Sequence, residues 1–102
     1  MTMKLKKMLT SKGLVSFEKN WTAQHNCVDG KPMAETYNVR LNGKFLFKMR
    51  ITYKGTQGLE FRIVPNGTST TAQQPLLGYG CKPALQKMKR MIEEGDKQWN
   101  TR

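Results

Sequence analysis

The fold is decided by the stretch Phe45-Leu-Phe-Lys-Met-Arg-Ile-Thr-Tyr53, in which large apolar side chains recur at every second position. This alternation is typical of a β-strand with one buried face, because successive side chains of a strand point to opposite sides of the sheet. Residues 37–41 and 59–64 alternate in the same way. The centre of the chain is therefore predicted to form an antiparallel meander, part of a sheet of three to four strands.

The loop after Tyr53 predicts the register of the second hairpin. If residues 54–58 form the loop, Tyr53 lies opposite Leu59, and the next pairs on the same face are also apolar. Paired residues of an antiparallel ladder share a face, so this register places the other residues of both strands together on the opposite side. Arg50 is then predicted to lie directly across from Arg62.

The first hairpin has two candidate registers. Asn42-Gly43 is a strong signal for a two-residue turn, but that turn pairs Arg40 with Phe45 and mixes the two faces. A three-residue loop with a bulge pairs Leu41 with Phe45 and keeps the apolar side chains together. Burying a large apolar side chain stabilises a fold by roughly 1.5–3 kcal/mol, so we predict the three-residue loop.

Helices are predicted at both ends of the chain. Pro83 opens an amphipathic pattern that runs to about Glu94 and stops at Gly95. The apolar stripe of this helix is expected to cover one face of the sheet, and Trp99 is expected to dock beside it. Its members are Ala84, Leu85, Met88, Met91 and Ile92.

The remaining segments carry weaker patterns. Leu5, Met8 and Leu9 predict a short N-terminal helix that ends at Gly13. Residues 14–17 are then expected to form an edge strand and residues 21–28 a further strand. Residues 66–77, polar and rich in Ser and Thr at their start, are predicted to be a flexible loop. The fold class is thus α+β, and residues 1–102 are expected to form one small basic domain.

The charge of the chain is strongly one-sided. Its 102 residues include 18 Lys and Arg against 7 Asp and Glu, which gives a net charge of +11. The excess is concentrated in residues 1–20, 41–60 and 81–102. No apolar run is long enough for a membrane span or a secretory signal, so we expect a cytoplasmic protein without a membrane partner, its two cysteines reduced.

Groups that could carry catalysis are few. His25 is the single histidine and Cys27 and Cys81 are the only thiols, so we predict neither a metal nor another cofactor. The segment Gly78-Tyr79-Gly80, which precedes the predicted helix, offers a weak signal for a phosphate site. A small ribonuclease would need a base, a phosphate clamp and an acid, and Glu60, Arg62 and His25 are suitable types.

The predicted register assembles a basic sheet face, which favours a non-enzymatic nucleic-acid-binding protein that contacts phosphates and reads base edges. Two directly opposed arginines repel each other, and an anion lying over them would relieve this repulsion. The candidate binding residues are Asn38, Arg40, Lys44, Lys48, Arg50, Lys54, Arg62, Lys82, Lys87, Lys89 and Arg90.

Two other functions stay open beside this one. A small basic chain is also suited to be a phage or mobile-element accessory protein that binds and modulates an acidic host protein. The ribonuclease is the second alternative. In topology, a three-stranded sheet backed by a C-terminal helix is broadly similar to the DNA readers of integrase arm-binding and AP2 domains. Neither DNA nor RNA is preferred by the sequence, and no oligomeric state is predicted.

Overall fold

The computed structural model describes residues 5–22, 34–54, 56, 58–64 and 75–96, which form six strands and one helix. The strands are β1 (Met8–Thr10), β2 (Gly13–Thr22), β3 (Ala34–Leu41), β4 (Lys44–Tyr53), β5 (Leu59–Val64) and β6 (Leu76–Tyr79), and the helix is α1 (Cys81–Glu94). The six strands form a single sheet in chain order, and every neighbouring pair is antiparallel.

The helix α1 packs on one face of this sheet and touches both of its edge strands, β1 and β6. A helix can reach both edges because the sheet curls around it. The predicted α+β class, the antiparallel meander and the C-terminal helix are confirmed. The expected three to four strands are wrong, because short strands extend the meander at both edges.

The buried core lies between α1 and the inner face of the sheet, which is the face turned toward the helix. The second hairpin contributes to it in the predicted register, with Tyr53 opposite Leu59 and Arg50 opposite Arg62. The helix contributes the predicted apolar stripe, of which only Leu85 is incompletely buried. The buried apolar residues are Val15, Tyr37, Val39, Phe47, Met49, Ile51, Phe61, Ile63, Leu77, Ala84, Met88, Met91 and Ile92.

The first hairpin corrects the predicted three-residue loop. Asn42 and Gly43 form a two-residue turn, both with positive φ (52° and 84°), as a type I′ turn requires. The pairing shifts between Val39 and Arg40, so that Leu46 has no partner across the ladder. This β-bulge restores the pair Val39–Phe47 after the tight turn. The structure thus has both the two-residue turn that Asn42-Gly43 favours and the apolar pairing of the inner face. Phe45, which was predicted to be buried, lies outside the core.

The predicted N-terminal helix is also wrong. Met8–Thr10 pair with Gly13–Val15 in a β-hairpin, and the side chain of Asn42 accepts a hydrogen bond from the Leu14 amide at 3.0 Å. Leu5 and Met8 pack against the core, as a helix would also have placed them, whereas Leu9 is 72% exposed. A short helix is costly to nucleate. The same segment gains hydrogen bonds at once when it pairs with β2, so the strand is favoured over the helix.

Two further predictions are revised. The strand β2 is not an edge strand, since β1 lies outside it, and it continues through Thr22. The strand β6 begins at Leu76, inside the segment that was expected to be a loop. Three predictions concern residues outside the described part of the chain: the continuation of a strand within residues 23–33, the loop at 66–74, and the docking of Trp99.

The predicted helix stop is confirmed at Gly95. Its backbone is left-handed (φ 76°), and the amides of Gly95 and Asp96 donate to the carbonyls of Ile92 and Met91. At its other end the helix begins at Cys81, two residues before Pro83. Within the described part of the chain, the helix is too short and too polar to cross a membrane.

Candidate nucleic-acid interface

The outer face of the sheet, turned away from α1, gathers the arginines that the sequence predicted to lie together. Cross-strand pairing places Lys48 beside Asn38, and Arg50 between Thr36 and Arg62. Residues that face each other across the strands form a row, and Arg40 lies on the same face in the row next to that of Asn38 and Lys48. The helix covers the inner face, so these basic side chains are not hidden beneath it.

Arg50 and Arg62 are directly opposed, but their surroundings differ. The Nε of Arg62 lies 3.1 Å from Oε1 of Glu60, and its Nη2 donates to Oε2 at 3.3 Å. Arg50 makes no ion pair with a carboxylate of the described residues. Within the part of the chain that the structure describes, Arg50 is therefore the arginine of this pair without a carboxylate partner.

Glu60 is a buried carboxylate at the β6 side of the outer face. Its side chain is 9% exposed, and it accepts hydrogen bonds from Arg62 and from the hydroxyl of Tyr79, the latter at 3.4 Å. The hydrogen bond from Arg62 holds the pKa of Glu60 below its usual range, although burial opposes this effect. The carboxylate thus accepts hydrogen bonds from two donors, and its lowered pKa makes it a weaker base than an ordinary glutamate.

A second, more exposed network lies around Arg40. Its Nη2 lies 3.2 Å from Oε1 of Glu18, and the Asn38 amide donates to the same oxygen. Both hydrogen bonds lower the pKa of Glu18, and the one from Asn38 has the larger effect. Asn38 also accepts a hydrogen bond from Asn20 at 2.8 Å. Both ends of the Asn38 amide are therefore engaged, and reading a base edge would require it to give up a partner.

The two hairpin lysines lie at opposite ends of β4. Lys44 follows the Asn42-Gly43 turn and is exposed. Lys54 is exposed at the other end, where its amide donates to the carbonyl of Gly58 and its charge contributes to the lowered pKa of Glu60. Lys54 thus extends the basic surface past the end of the outer face near Glu60.

The predicted helix cations form a separate surface. Lys82, Lys89 and Arg90 are exposed on α1, on the far side of the sheet from Arg50. The Nζ of Lys87 donates to the carbonyl of Leu76 at 2.9 Å, which ties the helix to β6. The structure therefore divides the candidate residues between two faces, and one compact ligand cannot contact both.

Two aromatic side chains on the outer face were missed by the sequence reasoning. Phe45 was expected in the core, but it pairs with Arg40 on the outer face and is 43% exposed. Tyr79 pairs with Glu60 and is 46% exposed. The Asn42-Gly43 signal could have indicated the first, because a two-residue turn places Phe45 opposite Arg40.

The weaker sequence candidates gain little support. Gly80 caps the start of α1 with a positive φ of 93° and without a side-chain hydrogen bond, and no acidic residue lies in the first turn. The phosphate site there stays a prediction. His25 and Cys27 lie outside the described residues, and Cys81 is exposed with a free thiol.

Comparison with known proteins gives no independent indication of function. No protein-family model matches the chain, and no similar protein is found among curated proteins or among solved structures.

Proposed function

We propose that the chain is a non-enzymatic nucleic-acid-binding protein whose outer sheet face contacts the phosphate backbone. The observation that carries this proposal is the direct cross-strand opposition of Arg50 and Arg62, of which only Arg62 has a carboxylate partner among the described residues. Opposed like charges destabilise a sheet, and an anion over the pair removes that cost. Phosphate is one of the two anions, with carboxylate, whose geometry a guanidinium group matches through paired hydrogen bonds.

The charges around this pair support the same function. Arg40 and Arg62 are compensated by Glu18 and Glu60, whereas Lys48 and Arg50 have no ion pair among the described residues. Among the described residues, Lys48 and Arg50 therefore have no carboxylate partner to give up when a ligand binds. The net charge of +11 over the whole chain would steer any polyanion toward the molecule.

Fluorescence anisotropy with labelled oligonucleotides, titrated at about 50 and 200 mM salt, tests the proposal. The logarithm of the affinity should fall linearly with the logarithm of the salt concentration. The double variant Lys48→Ala, Arg50→Ala should bind at least about tenfold more weakly at low salt, and its salt slope should be smaller by about 2.

A matched control comes from the helix. The variant Lys89→Ala, Arg90→Ala removes the same charge from exposed positions on the other side of the molecule. It should lower the affinity by much less, because only the long-range field changes. Equal losses in the two double variants would indicate diffuse charge and would contradict a binding face.

The same wild-type protein and double variant also test the alternative function, binding to an acidic host protein. If the wild type binds no oligonucleotide at low salt, the nucleic-acid proposal is wrong. Recovery of one acidic protein by the immobilised chain, unchanged after nuclease treatment and lost in the Lys48→Ala, Arg50→Ala variant, would then favour the accessory-protein function.

A further inference from the structure

Phe45 and Tyr79 are both exposed aromatic residues, and both lie on the outer face with the basic side chains. An exposed aromatic ring offers a flat apolar surface on which a nucleic-acid base can stack. Their position among arginines suggests a ligand with both flat rings and negative charges.

A β-bulge brings each of these rings to the outer face. Two residues that are two positions apart share a face in a regular strand. At the bulge in β4, Phe47 is fully buried while Phe45 is exposed on the other side. At the bulge in β6, Leu77 is buried while Tyr79 is exposed on the other side. Bulges are known to redirect side chains next to functional sites.

The two rings flank the basic residues of the outer face. Phe45 lies in the row of Arg40, and Tyr79 lies in the row of Glu60, with the rows of Lys48 and of Arg50 and Arg62 between them. From strand and row spacings the rings are separated by about 20 Å. A single strand of about four nucleotides or more spans such a distance, at the lower end of known site sizes.

The width of the sheet disfavours a duplex. Six strands at about 4.8 Å spacing are roughly 24 Å wide, whereas the major groove of DNA is about 12 Å wide. Arg50 and Arg62 lie on β4 and β5, which have neighbouring strands on both sides. Because of these neighbouring strands, β4 and β5 cannot enter the major groove as an isolated two-stranded ribbon does. In a duplex, moreover, the base faces are stacked on each other and closed to Phe45 and Tyr79.

We propose that the outer face binds single-stranded nucleic acid, with bases stacked on Phe45 and Tyr79 and the intervening phosphates held by Lys48 and Arg50. Base stacking on aromatic side chains together with a basic surface is the general means of binding single strands without sequence preference. The proposal rests on the proposed function and specifies its substrate class.

The test compares oligo(dT), oligo(rU) and a duplex, each of about 12 nucleotides or base pairs, by anisotropy at one salt concentration. We expect a single strand to bind at least about tenfold more tightly than the duplex. The variants Phe45→Leu and Tyr79→Leu should each weaken single-strand binding by about fivefold or more, and should leave duplex binding unchanged.

Conservative variants separate stacking from a structural role. Phe45→Trp and Tyr79→Phe keep an aromatic ring and should keep the single-strand affinity, although Tyr79→Phe loses the hydrogen bond to Glu60. In Phe45→Trp, the added indole fluorescence should be quenched by oligo(dT) and not by the duplex. Thermal unfolding of every variant shows whether a loss of binding comes from a loss of fold.

The outcomes distinguish the two proposals. Binding of neither single strand nor duplex overturns the proposed function itself. Binding of duplex at least as tightly as single strand, with loss in Lys48→Ala, Arg50→Ala and no effect of the leucine variants, keeps the proposed function and overturns this inference. The difference between oligo(dT) and oligo(rU) indicates whether DNA or RNA is preferred.

Discussion

Two buried glutamates on opposite faces of the sheet make a useful comparison. Glu35 on the inner face accepts a hydrogen bond from the neutral hydroxyl of Tyr37 at 2.8 Å, and its other oxygen has no partner among the described residues. Glu60 on the outer face is bound by the charged guanidinium of Arg62. Each partner lies two residues further along the same strand. The inner pair is built into the core, whereas the outer pair belongs to a surface of charges.

This difference bears on the function proposed for the outer face. Arg62 is paired with Glu60, while Arg50, its direct neighbour across the ladder, has no carboxylate partner among the described residues and is proposed to contact a ligand. The proposal therefore gives the two adjacent arginines different roles, which variants at each position can separate.

The largest effect is expected on stability when the outer pair is broken. Arg62→Ala leaves Glu60 buried without its cation, and we expect the free energy of unfolding to fall by about 3 kcal/mol. Arg50→Ala should change it by less than about 1 kcal/mol, because it removes a repulsion and no ion pair. Urea unfolding at neutral pH measures both, and equal losses would contradict the division of roles.

The pH dependence provides a control for that measurement. The folded-state pKa of Glu60 is lowered, so the stability it contributes is present above the ordinary carboxyl pKa and is lost as the pH falls through the lowered value. The difference between wild type and Arg62→Ala should therefore shrink below about pH 4. A difference that stays constant into acid would mean that the ion pair is not its source.

A smaller effect is expected from the inner pair. Tyr37→Phe removes the one hydrogen bond to Glu35 given by the structure and should lower the free energy of unfolding by about 1–2 kcal/mol. Burial, and then the carboxylate of Glu35, raise the pKa of Tyr37. The stability contributed by the protonated phenol is complete below about pH 10 and is lost as the pH rises above it. Alkaline unfolding should show this loss in the wild type and not in Tyr37→Phe.

The smallest effect is expected for a variant that strengthens oligonucleotide binding, whereas the variants above weaken the fold. Glu18→Gln releases Arg40 from its exposed carboxylate and should raise the affinity for an oligonucleotide by about two- to threefold at low salt. The gain should vanish at high salt, because exposed charges are screened. Anisotropy at two salt concentrations checks it, and a loss of affinity would mean that Glu18 positions Arg40 for the ligand.

The part of the fold that followed from local alternation was predictable. The β4–β5 register was confirmed pair by pair, since one slipped residue would have turned Met49, Ile51 and Phe61 to the solvent. With that register came the opposition of Arg50 and Arg62. The helix stripe and its stop at Gly95 were equally local.

The parts that failed depended on contacts with distant residues. The N-terminal segment reads equally well as a helix until β2 and the Asn42 side chain are in place to bind it. Phe45 was placed in the core because a bulge in β4 leaves no mark in the alternation. Tyr79 was expected only in a turn before the helix, since the short β6 gains its face only by pairing with β5.

By itself, therefore, the amino-acid sequence determined the period of each central strand, the apolar stripe of α1 and the basic excess, because these depend on residues close together in the chain. Only the tertiary structure decided which cations are compensated and which aromatic rings reach the surface. Those outcomes depend on ladder register and on bulges, which arise when the packing of the whole sheet is satisfied at once.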